Sequence, residues 1–263
     1  MSQLKLPDNV ELTPVPAFTD NYIWTFFNAS SCVVVDPGDA QPILDFCSQR
    51  NLILSAIIIT HHHADHTGGI AKLCEEFPDI PVFGPNNSQI RGLTEHLGEG
   101  DSITIPALDL TFNVIEVPGH TLDHIAYIGH GGILCGDTLF SCGCGRLFEG
   151  TPAQMQQSLA KIMALPSNTQ VWCTHEYTLA NIDFALNVEP NNGDLQDYAQ
   201  WARRQRANDL PTLPSSIGIQ QRVNPFVRAS SIEVKQTAEK NANQTLDDEL
   251  AVFTAVRRWK DNY

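Results

Sequence analysis

The chain has 263 residues, enough for two domains, and 42% of them are apolar, the balance of an ordinary globular protein. A formal charge of −14 gives no basic footprint for a phosphate backbone, which excludes nucleic acid as a partner and disfavours long-range steering of an anionic substrate. Met1 to Phe18 lacks a long apolar core and is interrupted by Pro7, Pro14 and Pro16, and no 18-residue apolar run occurs elsewhere, so neither a secretory signal nor a membrane span is expected. Seven irregularly spaced cysteines point to reduced thiols in a cytoplasmic protein.

In chain order, Cys32-Val33-Val34-Val35 reads as a strand ended by Asp36-Pro37-Gly38, and Gln41 to Arg50 as a short helix with Ile43, Leu44 and Phe46-Cys47 inward. Ile53 to Ile59 is a short, β-branched run that reads as a buried strand. It leads directly into Thr60-His61-His62-His63-Ala64-Asp65-His66, and after Gly68-Gly69 a helical pattern begins at Ile70. Four of the nine histidines and a carboxylate therefore share one loop at the C-terminal end of a strand, where ligand-binding groups collect in layered α/β proteins. Residues two apart in an extended segment point the same way, so His61 and His63 can reach one metal ion while His62 faces elsewhere. Asp65 and His66 follow the turn and can serve a second ion. One loop cannot close either coordination sphere, so distant residues must contribute. Solitary histidines such as His62, His96 and His130 read as ordinary core or surface groups.

Three further strands end in candidate ligands. Val114 to Val117 is followed by Pro118-Gly119-His120, Gly132 to Cys135 by Gly136-Asp137-Thr138, and Val171 to Thr174 by His175. Thr151-Pro152 caps and starts a helix with Met155, Leu159 and Ile162-Met163 on one stripe. Cys142-x-Cys144 is a lone pair in a Gly-rich loop and reads as small buried groups. After His175 strand signals fade, and Tyr177 to Leu186, Gln196 to Asn208 and Ser231 to Asn241 look helical. A last helix is expected from Thr245-Leu246-Asp247-Asp248, with Leu246, Leu250, Phe253 and Val256 at helical spacing.

The pattern His61-x-His63-x-Asp65-His66, then His120, Asp137 and His175, resembles the metallo-β-lactamase superfamily. Within it the chain is similar to the glyoxalase II (hydroxyacylglutathione hydrolase) family. The similarity runs through Asp20-Asn21-Tyr22-Ile23-Trp24, Val35 to Asp39, Pro118 to Thr121, Cys135 to Phe140, Gly143 to Arg146, His175 to Thr178 and Arg257 to Lys260. The resemblance implies an α/β fold, an αββα metallo-β-lactamase sandwich of two mixed sheets with a C-terminal helical domain. Residues 1–175 would form the dinuclear metal-binding domain and 176–263 the helical glutathione-binding domain. One ion would be held by His61, His63 and His120, and the other by Asp65, His66 and His175. Asp137 would bridge them together with a hydroxide. Asp65 and Asp137 are then catalytic as the ligands that hold that hydroxide. The cofactors implied are two divalent ions, zinc foremost, with iron or manganese also compatible with His/Asp ligation.

The implied reaction is hydrolysis of S-(2-hydroxyacyl)glutathione, chiefly S-D-lactoylglutathione, to glutathione and D-lactate, the second step of methylglyoxal detoxification. Arg257 and Lys260 would bind the glycine-end carboxylate, and Arg146 and Tyr177 would contact the peptide. The other reading of Arg257 and Lys260 is a solvated basic helix end. A membrane-free monomer acting on a small thioester is expected. The chain departs from the family pattern at Arg146, Phe148, Ala64 and Thr174, none of them an implied ligand. Asp36 and Asp39 are read either as groups that orient the metal loops or as turn formers, and His124 is left open. A one-iron dioxygenase of the same fold, a lactonase, and a catalytically silent module are the competing readings.

Overall fold

A computed structural model describes residues 5–87 and 89–263. Of the Met1–Phe18 segment read for a signal, the first four residues lie outside the described ones. The chain divides into two compact units, one of residues 1–116 and 123–136, the other of residues 117–122 and 137–263.

The first unit opens with an antiparallel hairpin, β1 (Glu11–Ala17) and β2 (Asn21–Phe27), joined by the three-residue loop Phe18 to Asp20. β3 (Ser31–Val35) pairs antiparallel to β2, and after α1 (Gln41–Arg50) the chain returns as β4 (Ile53–Ile58), parallel to β3. A four-residue helix, α2 (Ala64–Thr67), and α3 (Ile70–Glu76) lead to β5 (Val82–Pro85) and β6 (Glu95–Leu97), which extend the same sheet in parallel. The order is β1-β2-β3-β4-β5-β6, a mixed sheet whose strands from Ser31 to Ile58 are nearly all apolar, as strands covered on both faces must be. α1, α3 and the sheet bury Ile43, Cys47, Leu54, Ile57, Ile70, Leu73 and Val82 in one cluster. β7 (Ser102–Ile105), β8 (Leu110–Glu116), β9 (Ile125–Gly129) and β10 (Gly132–Gly136) form an antiparallel run. Phe26 of β2 meets Phe112 of β8 edge to face at 5.5 Å, and the Tyr127 hydroxyl of β9 donates to the Ile59 carbonyl at 2.8 Å. These contacts join the two sheets within the unit.

The second unit holds the small hairpin β11 (Leu139–Phe140) and β12 (Gly143–Cys144), then α4 (Pro152–Met163) and β13 (Gln170–Cys173). Thr151 caps α4 with a full capping box, its hydroxyl accepting from Gln154 N–H while the Gln154 side chain accepts from Thr151 N–H. Five helices and one short strand follow: α5 (Thr178–Val188), α6 (Gly193–Ala207), β14 (Ser215–Ser216) antiparallel to β13, α7 (Ile217–Val223), α8 (Ile232–Ala242) and α9 (Glu249–Asp261). Their core includes Ile182, Ala185, Leu195, Ala199, Ala202 and Val223.

The α/β class, the two sheets and the helical C-terminal region agree with the sequence reading. The helix α7 had no counterpart in the sequence reading, and one local expectation is corrected. The last helix starts after Asp248, which accepts from Ala251 N–H, rather than at Thr245; Leu246 is held outside it by a backbone bond to the Glu239 carboxylate. Among the described residues, no helix is long and apolar enough to cross a membrane.

Candidate metal centre

In the first unit, β4 delivers the histidine-rich loop. His61 is fully buried and His63 half-buried, and His61 Nε2 lies 3.1 Å from His63 Nδ1. Two nitrogens sharing a tetrahedral ion at ordinary bond lengths are about 3.3 Å apart. The single turn of α2 then turns Asp65 and His66 toward each other, with Asp65 Oδ2 3.5 Å from His66 Nε2. His62 points elsewhere, as alternation requires, and its Nδ1 bonds Asp123 Oδ1 at 2.9 Å; Asn87 holds the other oxygen of Asp123.

Neighbouring side chains orient this loop. Asp36, at a left-handed φ of 52°, is buried. Its Oδ1 accepts from Thr60 N–H at 2.7 Å, and its Oδ2 accepts from the Thr60 hydroxyl at 2.8 Å and lies 3.1 Å from His66 Nδ1. A proton on Nδ1 facing that carboxylate leaves the Nε2 lone pair of His66 for a metal, the usual orienting arrangement. Asp39 instead accepts from Gln41 N–H at the start of α1 and is a turn former. His124 stacks on His61 at 4.6 Å and bonds the Ile125 carbonyl, so it walls the His61 ring. Asn21, quoted in a motif but given no role from sequence, donates to Asp65 Oδ2 at 3.2 Å.

In the second unit, two histidines converge on one oxygen of a third strand-end residue, Asp137. Asp137 Oδ2 lies 3.5 Å from His120 Nε2 and 3.4 Å from His175 Nε2, and all three residues are buried. His120 Nδ1 donates to the Arg146 carbonyl at 2.7 Å; a carbonyl only accepts, so the Nε2 of a neutral ring carries the lone pair. Gly145 makes this approach possible, because a Cβ there would lie 2.0 Å from the Asp137 carbonyl oxygen and 3.0 Å from His120 Cβ. Tyr177 stacks on His175 with centroids 4.6 Å apart and planes 5° from parallel, and Phe140 meets both rings edge-on.

The other residues singled out in this unit have distinct surroundings. Arg146 is 62% exposed, with Nε 3.9 Å from Asp261. Arg257 is only 6% exposed and so is not part of a solvated helix end. Its guanidinium donates to the Cys144 carbonyl and to Asp261, both at 3.0 Å, and lies over the Phe226 ring. Lys260 is half-buried and donates to the Ala180 carbonyl at 3.3 Å. Burial, followed by the charge of Arg257, holds the Lys260 ammonium below its ordinary pKa. Cys142 and Cys144 are buried, and burial raises both thiols, so they remain thiols as expected. In the first unit, His130 accepts from Thr111 N–H and bonds the Lys5 carbonyl, a satisfied structural histidine.

Each unit thus gathers imidazole and carboxylate donors at ligand-to-ligand separations, and this chemistry fits a divalent cation. Comparison with known proteins agrees. A profile described as the metallo-β-lactamase superfamily matches residues 20–175, which sets the class of the fold and its divalent-metal site. A second, described as the hydroxyacylglutathione hydrolase C-terminus, matches residues 176–263. A hydroxyacylglutathione hydrolase from Aliivibrio salmonicida is 50% identical over 250 residues, covering 95% of this chain and 98% of that protein. The chain belongs to the hydroxyacylglutathione hydrolase family of the metallo-β-lactamase superfamily. Two solved structures share the fold at lower identity. ETHE1 from Myxococcus xanthus has a TM-score of 0.63 at 23% identity, covering 95% of this chain and 97% of that one. A protein solved in a di-iron-bound form has a TM-score of 0.53 at 22% identity, covering 86% of this chain and 100% of that one.

Proposed function

We propose that this chain hydrolyses the thioester bond of S-(2-hydroxyacyl)glutathione, with S-D-lactoylglutathione as its principal substrate, releasing glutathione and D-lactate in the second step of methylglyoxal detoxification. The observation that supports the reading is the stack of Tyr177, which we assign to the glutathione peptide, on His175, which we assign to the metal. The near-complete overlap with hydroxyacylglutathione hydrolases supports it.

The ligand set follows the family pattern. His61, His63 and His120 would hold one ion, Asp65, His66 and His175 would hold the other, and Asp137 would serve both. Zinc is our first assignment, with iron and manganese compatible, and the relative solved in a di-iron-bound form supports a two-ion centre. When bound, such ions make hydroxide available near neutral pH and stabilise charge on the substrate carbonyl oxygen. The protein's own groups set the geometry. Asp36 fixes the tautomer of His66, the Arg146 carbonyl fixes that of His120, and Asn21 holds Asp65. The leaving thiolate is weakly basic compared with an alkoxide or an amide anion, so no general acid is needed. Arg146, Tyr177, Arg257 and Lys260 bind the glutathione moiety; Arg257 does so from a buried position, where it also orders the Cys144 backbone.

We assign residues 1–175 to the metal domain and 176–263 to the glutathione domain, the boundary at which the two family profiles meet. The protein is proposed to act as a cytoplasmic monomer away from membranes. Seven irregularly spaced cysteines support a reducing compartment. The test is thiol release from S-D-lactoylglutathione by purified protein, with elemental analysis of the same sample. Release by protein carrying two equivalents of metal is expected. Metal-loaded protein that releases no thiol, or consumes oxygen instead, would overturn the assignment.

A further inference from the structure

Phe18 stands in the β1–β2 loop with φ at +51°, a left-handed conformation that glycine adopts without penalty and that is a genuine outlier for a bulky side chain. It is also 60% exposed, which a large aromatic gains nothing from in water. A lone exposed ring needs no explanation, but an exposed ring held in a strained backbone does, because such strain collects at functional sites.

The surroundings say which site. A Cβ on Gly38 would lie 2.8 Å from Phe18 Cε2 and 1.8 Å from the Asp65 carbonyl oxygen, so the ring edge and the metal loop crowd the same point. Asn21, three residues further along the same hairpin, donates to Asp65 Oδ2 at 3.2 Å and to its carbonyl at 3.4 Å. The hairpin and the metal loop are therefore one tied assembly. The Asp65 side chain is 44% exposed and the neighbouring Phe18 is exposed too, so both are open to a bound molecule. Hydrolysis brings the thioester carbon to the metal donors, and the acyl chain is the apolar substituent bonded to that carbon, so a ring beside Asp65 stands where the acyl group is held.

We propose that Phe18 is a specificity-determining residue whose ring packs on the acyl group of the thioester, favouring acyl chains that carry apolar bulk. This rests on the thioesterase reading above. The test compares S-acetylglutathione with S-mandeloylglutathione, whose 2-hydroxyacyl group carries a phenyl ring, on wild type and on Phe18→Ala, Phe18→Leu and Phe18→Gly. Removing the ring contact is expected to raise KM for the mandeloyl thioester about tenfold, while KM for the acetyl thioester changes less than about twofold. Phe18→Leu should recover most of the difference. Phe18→Gly should show the same kinetic loss with a melting temperature no lower than wild type, because the strained φ is relieved. Equal shifts for the two thioesters, or no shift for either, would overturn the role of Phe18 while wild-type turnover left the thioesterase reading standing. A wild-type enzyme that cleaves neither thioester would bring down that reading and this one with it.

Discussion

The two units build their donor sets by different means. The first packs four donors into one loop, and side chains aim them: Asp36 for His66, Thr60 for His61 and Asn21 for Asp65. The second takes three donors from separated stretches of sequence, and main chain and packing aim them: the Arg146 carbonyl for His120, the space left by Gly145, and the Tyr177 ring for His175. A contiguous loop shares one backbone path, so its donors need only correct rotamers. Donors from separate strand ends need those ends held in register. The first design should therefore fail gradually when an orienting side chain changes, and the second abruptly when a shared donor is lost.

The largest effect is expected at Asp137, the point where the second unit's donors meet. Asp137→Ala leaves His120 and His175 without the common oxygen at 3.5 and 3.4 Å. Metal content should fall together with activity, and loss of several kcal/mol of transition-state stabilisation corresponds to about a thousandfold in kcat/KM. Parallel elemental analysis and thiol-release kinetics check this. A variant with full metal content and normal turnover would remove Asp137 from the centre.

A smaller, graded effect is expected at Asp36 in the first unit. Asp36→Asn keeps the shape and can still accept from Thr60, but it withdraws the carboxylate that faces His66 Nδ1 at 3.1 Å. Loss of such an orienting partner weakens metal affinity about 10- to 100-fold, measured by competition with a chelator. Asp39→Asn should leave the affinity unchanged, because Asp39 serves the start of α1. Equal losses in the two variants would erase the distinction between orienter and turn former.

The same contrast explains what could be read from the sequence. The first unit's donors were legible because the strand, the loop and the His-x-His alternation occupy one short window. The second unit's donors were legible only as candidates at strand ends; their grouping came from family resemblance, since no spacing rule brings His120, Asp137 and His175 together. Asp36 and Asp39 look alike in sequence, both beside Pro37-Gly38, and differ only in where the turn aims them. Phe18 carried no signal, because its distinction is a backbone angle. The burial of Arg257 had a signal that went unused: Phe253, Val256 and Arg257 stand at i, i+3 and i+4, which places the arginine on the buried stripe of α9.

The smallest effect concerns Lys260, one turn beyond Val256 and two beyond Phe253 on the same helix. Its ammonium donates to the Ala180 carbonyl and sits 5.0 Å from the centre of the Phe184 ring, so its stem is anchored while the charge remains available to a carboxylate. Lys260→Ala should raise KM for a glutathione thioester about tenfold, the scale of one charge-assisted hydrogen bond, and leave a small uncharged thioester unaffected. The pH dependence sharpens this. Burial and the Arg257 charge disfavour the protonated amine, so its pKa lies below the ordinary lysine value. The charged form binds a carboxylate, so as pH rises the charge is lost earlier than from a free lysine, and KM begins to climb on the alkaline side. Lys260→Arg keeps its charge through that range and should flatten the climb. An alkaline rise in KM that survives in Lys260→Arg would assign the titration to another group and leave Lys260 as a packing residue of α9.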